Sequence, residues 1–242
     1  MTKGGAGGFT FVLVHGSWCG SWAWKPVREL LQAQGHRVFT PTLSGLADRS
    51  HLLSANINLT THILDVTNLI RWEELTDVVL VGHSYAGQVI SGVADRVPPG
   101  TIRSIVFFDA FYFGDGERAP IPQEEVHRPQ LIDVDGVRCL KPPRSELAFD
   151  LSPEMAVFVD GKFTPMPAAC FGEIPVVKGE RDRVPVKTFV LTEQCTMPVF
   201  RSIADALEQR PDWRVERAPY NHFMIVEQPG ETAEILLAAA RA

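Results

Sequence analysis

Cysteine is scarce in this 242-residue chain: Cys19, Cys139, Cys170 and Cys195 stand far apart and form no C-x-x-C pair. That spacing fits free thiols in a reducing compartment better than a disulfide framework. No apolar run approaches the length of a membrane span, and Phe9–Val14, after the glycine-rich start, is too short for a signal-peptide core. Basic runs are missing too. With a formal net charge of -6, the chain has nothing suited to neutralising phosphates, which disfavours nucleic acid as a partner. His15, His36, His51 and His62 lack the spacing of a metal-binding helix or ribbon, and no glycine-rich phosphate loop follows a strand. The expectation is a cytoplasmic protein with no metal and no cofactor.

What is present is an alternation of two periods. Apolar runs rich in β-branched residues predict strands at Phe9–His15, His36–Pro41, Asp77–His83, Ile102–Asp109, Lys187–Thr192 and Trp213–Ala218. Several are apolar on both faces, as strands buried in a parallel sheet are. Helical patterns lie between them. One carries Pro26 in its first turn and stops at Gly35; another places Ile63, Val66 and Ile70 on one face, with Thr60 or Thr61 as cap. A third follows Ser84 and runs toward Pro98, and a last one begins near Pro229. The pattern predicts a mostly parallel, doubly wound α/β sheet forming one domain over residues 1–242. It fails between residues 110 and 186, where ten of the eighteen prolines fall. That segment reads as a small helical cap inserted over one edge of the sheet.

The stretch Leu80–Ile90, LVGHSYAGQVI, carries the chemistry. An apolar strand ends in Gly82-His83-Ser84-Tyr85-Ala86, with Gly87 next and a helical stripe after it. A serine in a tight strand-to-helix turn is pushed out of the sheet, and the residues flanking it must be small because backbone passes close by. These are the mechanics of the G-x-S-x-G elbow, here with alanine at the last position. His83 is expected to pack beside the turn. A serine hydroxyl needs a base, and His222 lies after the last predicted strand and before the final helix, the place a base takes in such sites. The oxyanion of an acyl-transfer intermediate needs backbone N–H donors. Tyr85, at the start of the elbow helix, offers one. Ser17, in the turn VHGSWCGSW after the first strand, offers the other, with Gly16 allowing close approach.

The segments FVLVHGSWCGSWAWKPV, TPTLSGLADRSHLL, VVLVGHSYAGQVI, IVFFDAF and NHFMIVEQP resemble the α/β-hydrolase superfamily. Within it they resemble the branch of plant methyl esterases, hydroxynitrile lyases and bacterial relatives. The likeness covers nearly the whole chain and is loose only over the cap. It implies Ser84 as nucleophile, His222 as base and the Ser17 and Tyr85 amides as oxyanion donors. The expected substrate pocket includes Gly16, Trp18, Phe111 and Phe223: the turn tryptophans Trp18, Trp22 and Trp24 suit an apolar pocket or core packing, core being preferred for Trp24, and Phe111 suits the pocket or the cap's own core. Hydroxynitrile lyases of the branch carry threonine and lysine where this chain has Gly16 and Phe223. Without that lysine, cyanide release loses its electrostatic support, so the likeness implies an esterase.

One departure stands out. The plant relatives place the triad aspartate where this sequence, in LTEQCTMP, has Gln194. Glutamine can orient an imidazole but cannot stabilise an imidazolium by charge. Two carboxylates can substitute: Asp109, ending the strand beside the elbow strand, or Glu193, whose side chain is expected to point away from that of Gln194. The resulting expectation is a serine hydrolase acting on a small-molecule carboxylic ester with an aromatic or apolar acyl group. The same constellation also serves lyases, lactonases and natural-product tailoring enzymes, and a weakened site would suit a ligand-binding receptor. Oligomeric state is left open.

Overall fold

A computed structural model describes residues 8–117, 130–173 and 176–242. Six strands form the central sheet: β1 (Thr10–Val14), β2 (Arg37–Phe39), β3 (Val78–His83), β4 (Ile102–Phe108), β8 (Val186–Thr192) and β9 (Arg214–Ala218). Their order is β2-β1-β3-β4-β8-β9, and every neighbouring pair is parallel. The strands alternate their side chains between two cores. Val12, Leu80, Ile105 and Phe107 enter one, and Leu13, Val81, Val106 and Phe108 enter the other.

Helices cover both faces, as expected from the doubly apolar strands. α2 (Leu59–Trp72), α3 (Ala86–Ala94) and α7 (Pro198–Glu208) bury Ile63, Val89 and Phe200 against the first face. α1 (Lys25–Ala33) and α9 (Pro229–Arg241) bury Leu31 and Leu236 against the second. The cap of α2 differs from expectation: it is Asn58, whose side chain accepts from the Thr61 N–H at 3.0 Å. Thr61 returns the bond to the Asn58 N–H, closing a capping box. Thr60 instead meets the Glu173 carboxylate, which accepts from its N–H at 2.8 Å.

The segment between β4 and β8 carries short helices, α4 (Ser145–Phe149), α5 (Pro153–Asp160) and α6 (Ala169–Gly172). It also carries a three-stranded antiparallel sheet of β5 (Leu131–Val134), β6 (Val137–Leu140) and β7 (Met166–Pro167), which the sequence reading did not anticipate. Asp135 and Gly136, both at positive φ, turn β5 into β6. Such pairs match the right-handed twist of a hairpin.

Strand register sets the site. His83 of β3 lies opposite Phe108 of β4, Phe108 opposite Val190 of β8, and Thr192 opposite Ala218 of β9. Ser84, Asp109 and the segment leading to His222 therefore emerge side by side at the carboxyl edge of the sheet, where α/β folds gather their reactive groups.

Candidate active site

Ser84 sits at φ 56°, a left-handed conformation that costs a non-glycine residue roughly 1–3 kcal/mol and clusters at functional sites. The turn is held by its own backbone: the Ser84 N–H donates to Phe108, and the Ser84 carbonyl accepts from Gly87 and Phe111, each at 3.1 Å. The small residues around it are required by space. A Cβ on Gly82 would lie 2.7 Å from the Ala86 carbonyl oxygen, and one on Gly87 only 2.1 Å from that of Phe111. Ala86 stands where the elbow pattern has glycine, and Gly87 follows it.

Asp109, at φ 43°, is the second left-handed residue here. Its carboxylate is fully buried and accepts three hydrogen bonds. The Thr192 N–H donates to Oδ1 at 2.9 Å, the Thr192 hydroxyl donates to Oδ2, and the His222 Nδ1–H donates to Oδ2 at 3.0 Å. Of the two candidate acids, then, Asp109 meets the imidazole. Glu193 is exposed, and its N–H donates to Ala218 at 2.8 Å; Gln194 is exposed too and donates through its side chain to the Pro219 carbonyl.

The Asp109 bond puts the proton of neutral His222 on Nδ1 and leaves the Nε2 lone pair available. The ring is flanked by aromatics. Phe200 stacks on it at 5.4 Å and an interplanar angle of 7°, and Phe149 of the inserted segment stacks at 5.3 Å and 25°. His83 links the His222 loop to the elbow: its ring lies 4.4 Å from that of His222, and its Nε2–H donates to the His222 carbonyl at 2.9 Å. Burial, aided by the neighbouring His222, holds His83 neutral by lowering its pKa well below the ordinary value. It packs beside the turn as expected.

The Gly16–Ser17 turn is fixed by His15, weighed from the sequence only as a metal ligand. His15 donates from Nδ1 to the Gly16 carbonyl at 2.8 Å and accepts the Leu43 N–H at Nε2 at 3.0 Å. Burial drops its pKa to about 4, so it stays a neutral clamp. Gly16 lies against the elbow, its added Cβ only 3.0 Å from the Ser84 Cβ. The N–H groups of Ser17 and Tyr85 make no hydrogen bond among the described residues. The Tyr85 side chain is anchored behind the elbow: its hydroxyl donates to Nδ1 of His62, whose Nε2–H donates to Ser44, each at 3.0 Å. Burial lowers the His62 pKa and raises that of Tyr85, so both stay uncharged.

Two aromatic arcs run to the imidazole, one from Tyr85 and one from Trp18. One passes from Tyr85 through Phe171, Phe111 and Phe200 to His222. The other passes from Trp18 through Phe163 and Phe149 to His222. Trp18 and Phe111, both expected at the pocket, are half-buried members of these arcs. Phe223 differs: it is 2% exposed in the core beside the imidazole, so it backs the site instead of lining an open wall. Trp24 is a core residue. Neither Phe149 nor Phe200 carried a sequence signal, since each belongs to an ordinary apolar stripe.

Cys195, partly buried, completes the cluster, with Sγ 3.9 Å from His222 Nδ1. Burial and the Asp109 charge raise its thiol pKa far above the ordinary range. One ligand atom each from Asp109, Cys195 and His222 lies within 4.8 Å of the others, a grouping of distant segments that the histidine spacing gave no reason to expect. No helix of the described residues is long and apolar enough to cross a membrane.

A serine in a left-handed strand-to-helix elbow and a carboxylate-held imidazole, both at the carboxyl edge of a parallel sheet wrapped on both faces, fit the class of α/β hydrolases. The comparisons agree: a family model described as the alpha/beta hydrolase family matches residues 11–235, and the chain belongs to that family. A carbendazim hydrolyzing esterase of Nocardioides sp. (strain SG-4G) is 36% identical over 239 residues, covering 94% of this chain and 98% of that one. Methylesterase 1 of Arabidopsis thaliana is 36% identical over 121 residues, 46% of this chain and 42% of its own. Among solved structures, an extracellular alpha/beta-hydrolase from a Paenibacillus species shares the fold with a TM-score of 0.80 at 24% identity, covering 97% of this chain and 100% of that one.

Proposed function

We propose that this carboxylic ester hydrolase works through an acyl-enzyme on Ser84. His222 takes the hydroxyl proton at Nε2 as the oxygen attacks the ester carbonyl. The negative charge that develops is met by the N–H groups of Ser17 and Tyr85. His222 then protonates the leaving alcohol, and the reverse sequence with water releases the acid. Asp109 fixes the imidazole tautomer and stabilises the imidazolium. The observation that carries this reading is the 3.0 Å Asp109–His222 hydrogen bond, formed one strand away from a serine in a left-handed elbow.

The aromatic arcs favour a flat or apolar acyl group, because such walls bury it without leaving polar atoms unpaired. Residues 110–186 act as the cap that supplies part of this wall. Phe223, apolar and buried next to His222, supports ester hydrolysis over cyanide release. The likeness to the carbendazim hydrolyzing esterase, which spans nearly both chains, supports a small-molecule ester as substrate. Ser84→Ala should abolish turnover of short p-nitrophenyl esters, and mass spectrometry of the wild type should find an acyl group on the peptide holding Ser84. Unchanged turnover, or an acyl group carried elsewhere, would refute the assignment.

A further inference from the structure

The acid, the base and a thiol meet at one point. Sγ of Cys195 lies 3.9 Å from Nδ1 of His222, which lies 3.0 Å from Oδ2 of Asp109. In a tetrahedral zinc site, metal–ligand bonds of about 2.0 Å to nitrogen or oxygen and about 2.3 Å to sulfur put sulfur and nitrogen about 3.5 Å apart, and nitrogen and oxygen about 3.3 Å. The third edge, from Cys195 Sγ to the Asp109 carboxylate, lies within 4.8 Å against about 3.5 Å in such a site, so a rotation of the Cys195 side chain with small shifts of the other two would bring the atoms to three of its corners. Thr192 already holds the carboxylate through its N–H and hydroxyl, an outer support of the kind that orients metal ligands. Cys195 is only partly buried, whereas Asp109 and His222 are fully buried.

We propose that Asp109, Cys195 and His222 form an inhibitory site for a thiophilic divalent cation such as Zn²⁺ or Cd²⁺. The cation takes the place of the proton in the Asp109–His222 hydrogen bond. The thiol releases its proton to solvent and binds as thiolate, Asp109 binds as carboxylate, and the imidazole stays neutral by carrying its one proton on Nε2 instead of Nδ1. The two anionic ligands balance the dication, and no electron is transferred. The consequence for catalysis rests on the function proposed above: Nε2 is the nitrogen that must accept the serine proton, and a metal on Nδ1 fills it. Thiolate and imidazole select soft and borderline cations, so Mg²⁺ and Ca²⁺ should be without effect.

A second thiol–imidazole contact gives an internal control. Sγ of Cys170 lies 3.9 Å from Nε2 of His62, but both nitrogens of that ring already have oxygen partners. The test titrates the protein with cadmium chloride while following the ultraviolet charge-transfer band of a cadmium–thiolate bond and the hydrolysis of p-nitrophenyl acetate. One ion per chain is expected, with band and inhibition rising together. Cys195→Ala and Cys195→Ser should each remove the band and raise the inhibitory concentration, relative to that variant's own uninhibited rate, by about 100-fold. That is the upper end of what even an outer-shell partner contributes to metal affinity. Cys170→Ala should change neither readout. A band that survives in both Cys195 variants, or vanishes in Cys170→Ala, would overturn the site. If the metal-free protein hydrolyses no ester, the proposed function fails, while the cadmium band still reports on this site by itself.

Discussion

Thr192 holds Asp109 with both of its donors, the N–H at 2.9 Å from Oδ1 and the hydroxyl on Oδ2. The carboxylate is fully buried, so each donor offsets part of a large desolvation cost. Thr192→Val keeps the shape and the N–H but removes the hydroxyl. A hydrogen bond to a charged group contributes about 1.5–3 kcal/mol. The variant should lose roughly that much stability, measured by urea denaturation. Its kcat should fall about tenfold with KM little changed, as for a loss felt by the base and not by substrate contacts.

Asp109→Asn keeps the geometry and removes the charge. In a serine triad that change lowers kcat on the order of 10⁴-fold, and a comparable loss is expected here. Glu193→Gln and Gln194→Ala, at exposed positions away from the imidazole, should stay within about threefold of wild type. Steady-state kinetics on one p-nitrophenyl ester separates the three. A Glu193 variant as inactive as the Asp109 variant would reverse the assignment.

Gly87→Ala should be severe. Its Cβ would fall 2.1 Å from the Phe111 carbonyl oxygen, a rigid backbone atom. Overpacking of this kind costs about 1–3 kcal/mol or more, and it would push apart the segments carrying Ser84 and Asp109. Thermal denaturation should show a lowered Tm, with activity lost well below it. Ala86→Gly, which only removes a methyl group, should cost about 1 kcal/mol or less.

Acid should destabilise the fold through its buried histidines. In the unfolded chain His15 takes up a proton near pH 6.5, but in the folded state only near pH 4. Its contribution is therefore complete above pH 6.5 and is lost as the pH falls toward 4, because the unfolded state then binds the extra proton. At 1.36 kcal/mol per pH unit this amounts to about 3 kcal/mol. His62 and His83, also lowered by burial, act in the same direction. Unfolding free energies at pH 7 and pH 5 should differ by more in the wild type than in His15→Asn, which keeps a donor and an acceptor without the titration.

Much of this was legible in the sequence because it is written locally. The elbow needs a buried strand, small residues and a helical stripe within a dozen positions, and all three are contiguous. His222 could be located by chain order, and Asp109 by reasoning that the strand after the elbow strand lies beside it. The cap was read less well, although Val134-Asp135-Gly136-Val137 carries one of the strongest short hairpin signals. The prolines around it break the alternation on both sides, which hides so short a hairpin among helix-compatible segments. The aromatic stack on His222 had no local signature at all. Phe149 lies inside the inserted segment and Phe200 in α7, with β9 between it and His222, and only the folded register brings both rings to the imidazole.

The contact of Phe149 with the His222 imidazole bears on how this enzyme can be re-engineered. A chimaera that borrows residues 110–186 from a relative to gain a new specificity would also exchange the ring pressed against the base. On the proposed mechanism, selectivity and turnover are coupled through that ring, and directed evolution of residues 110–186 should yield few variants that alter one while sparing the other.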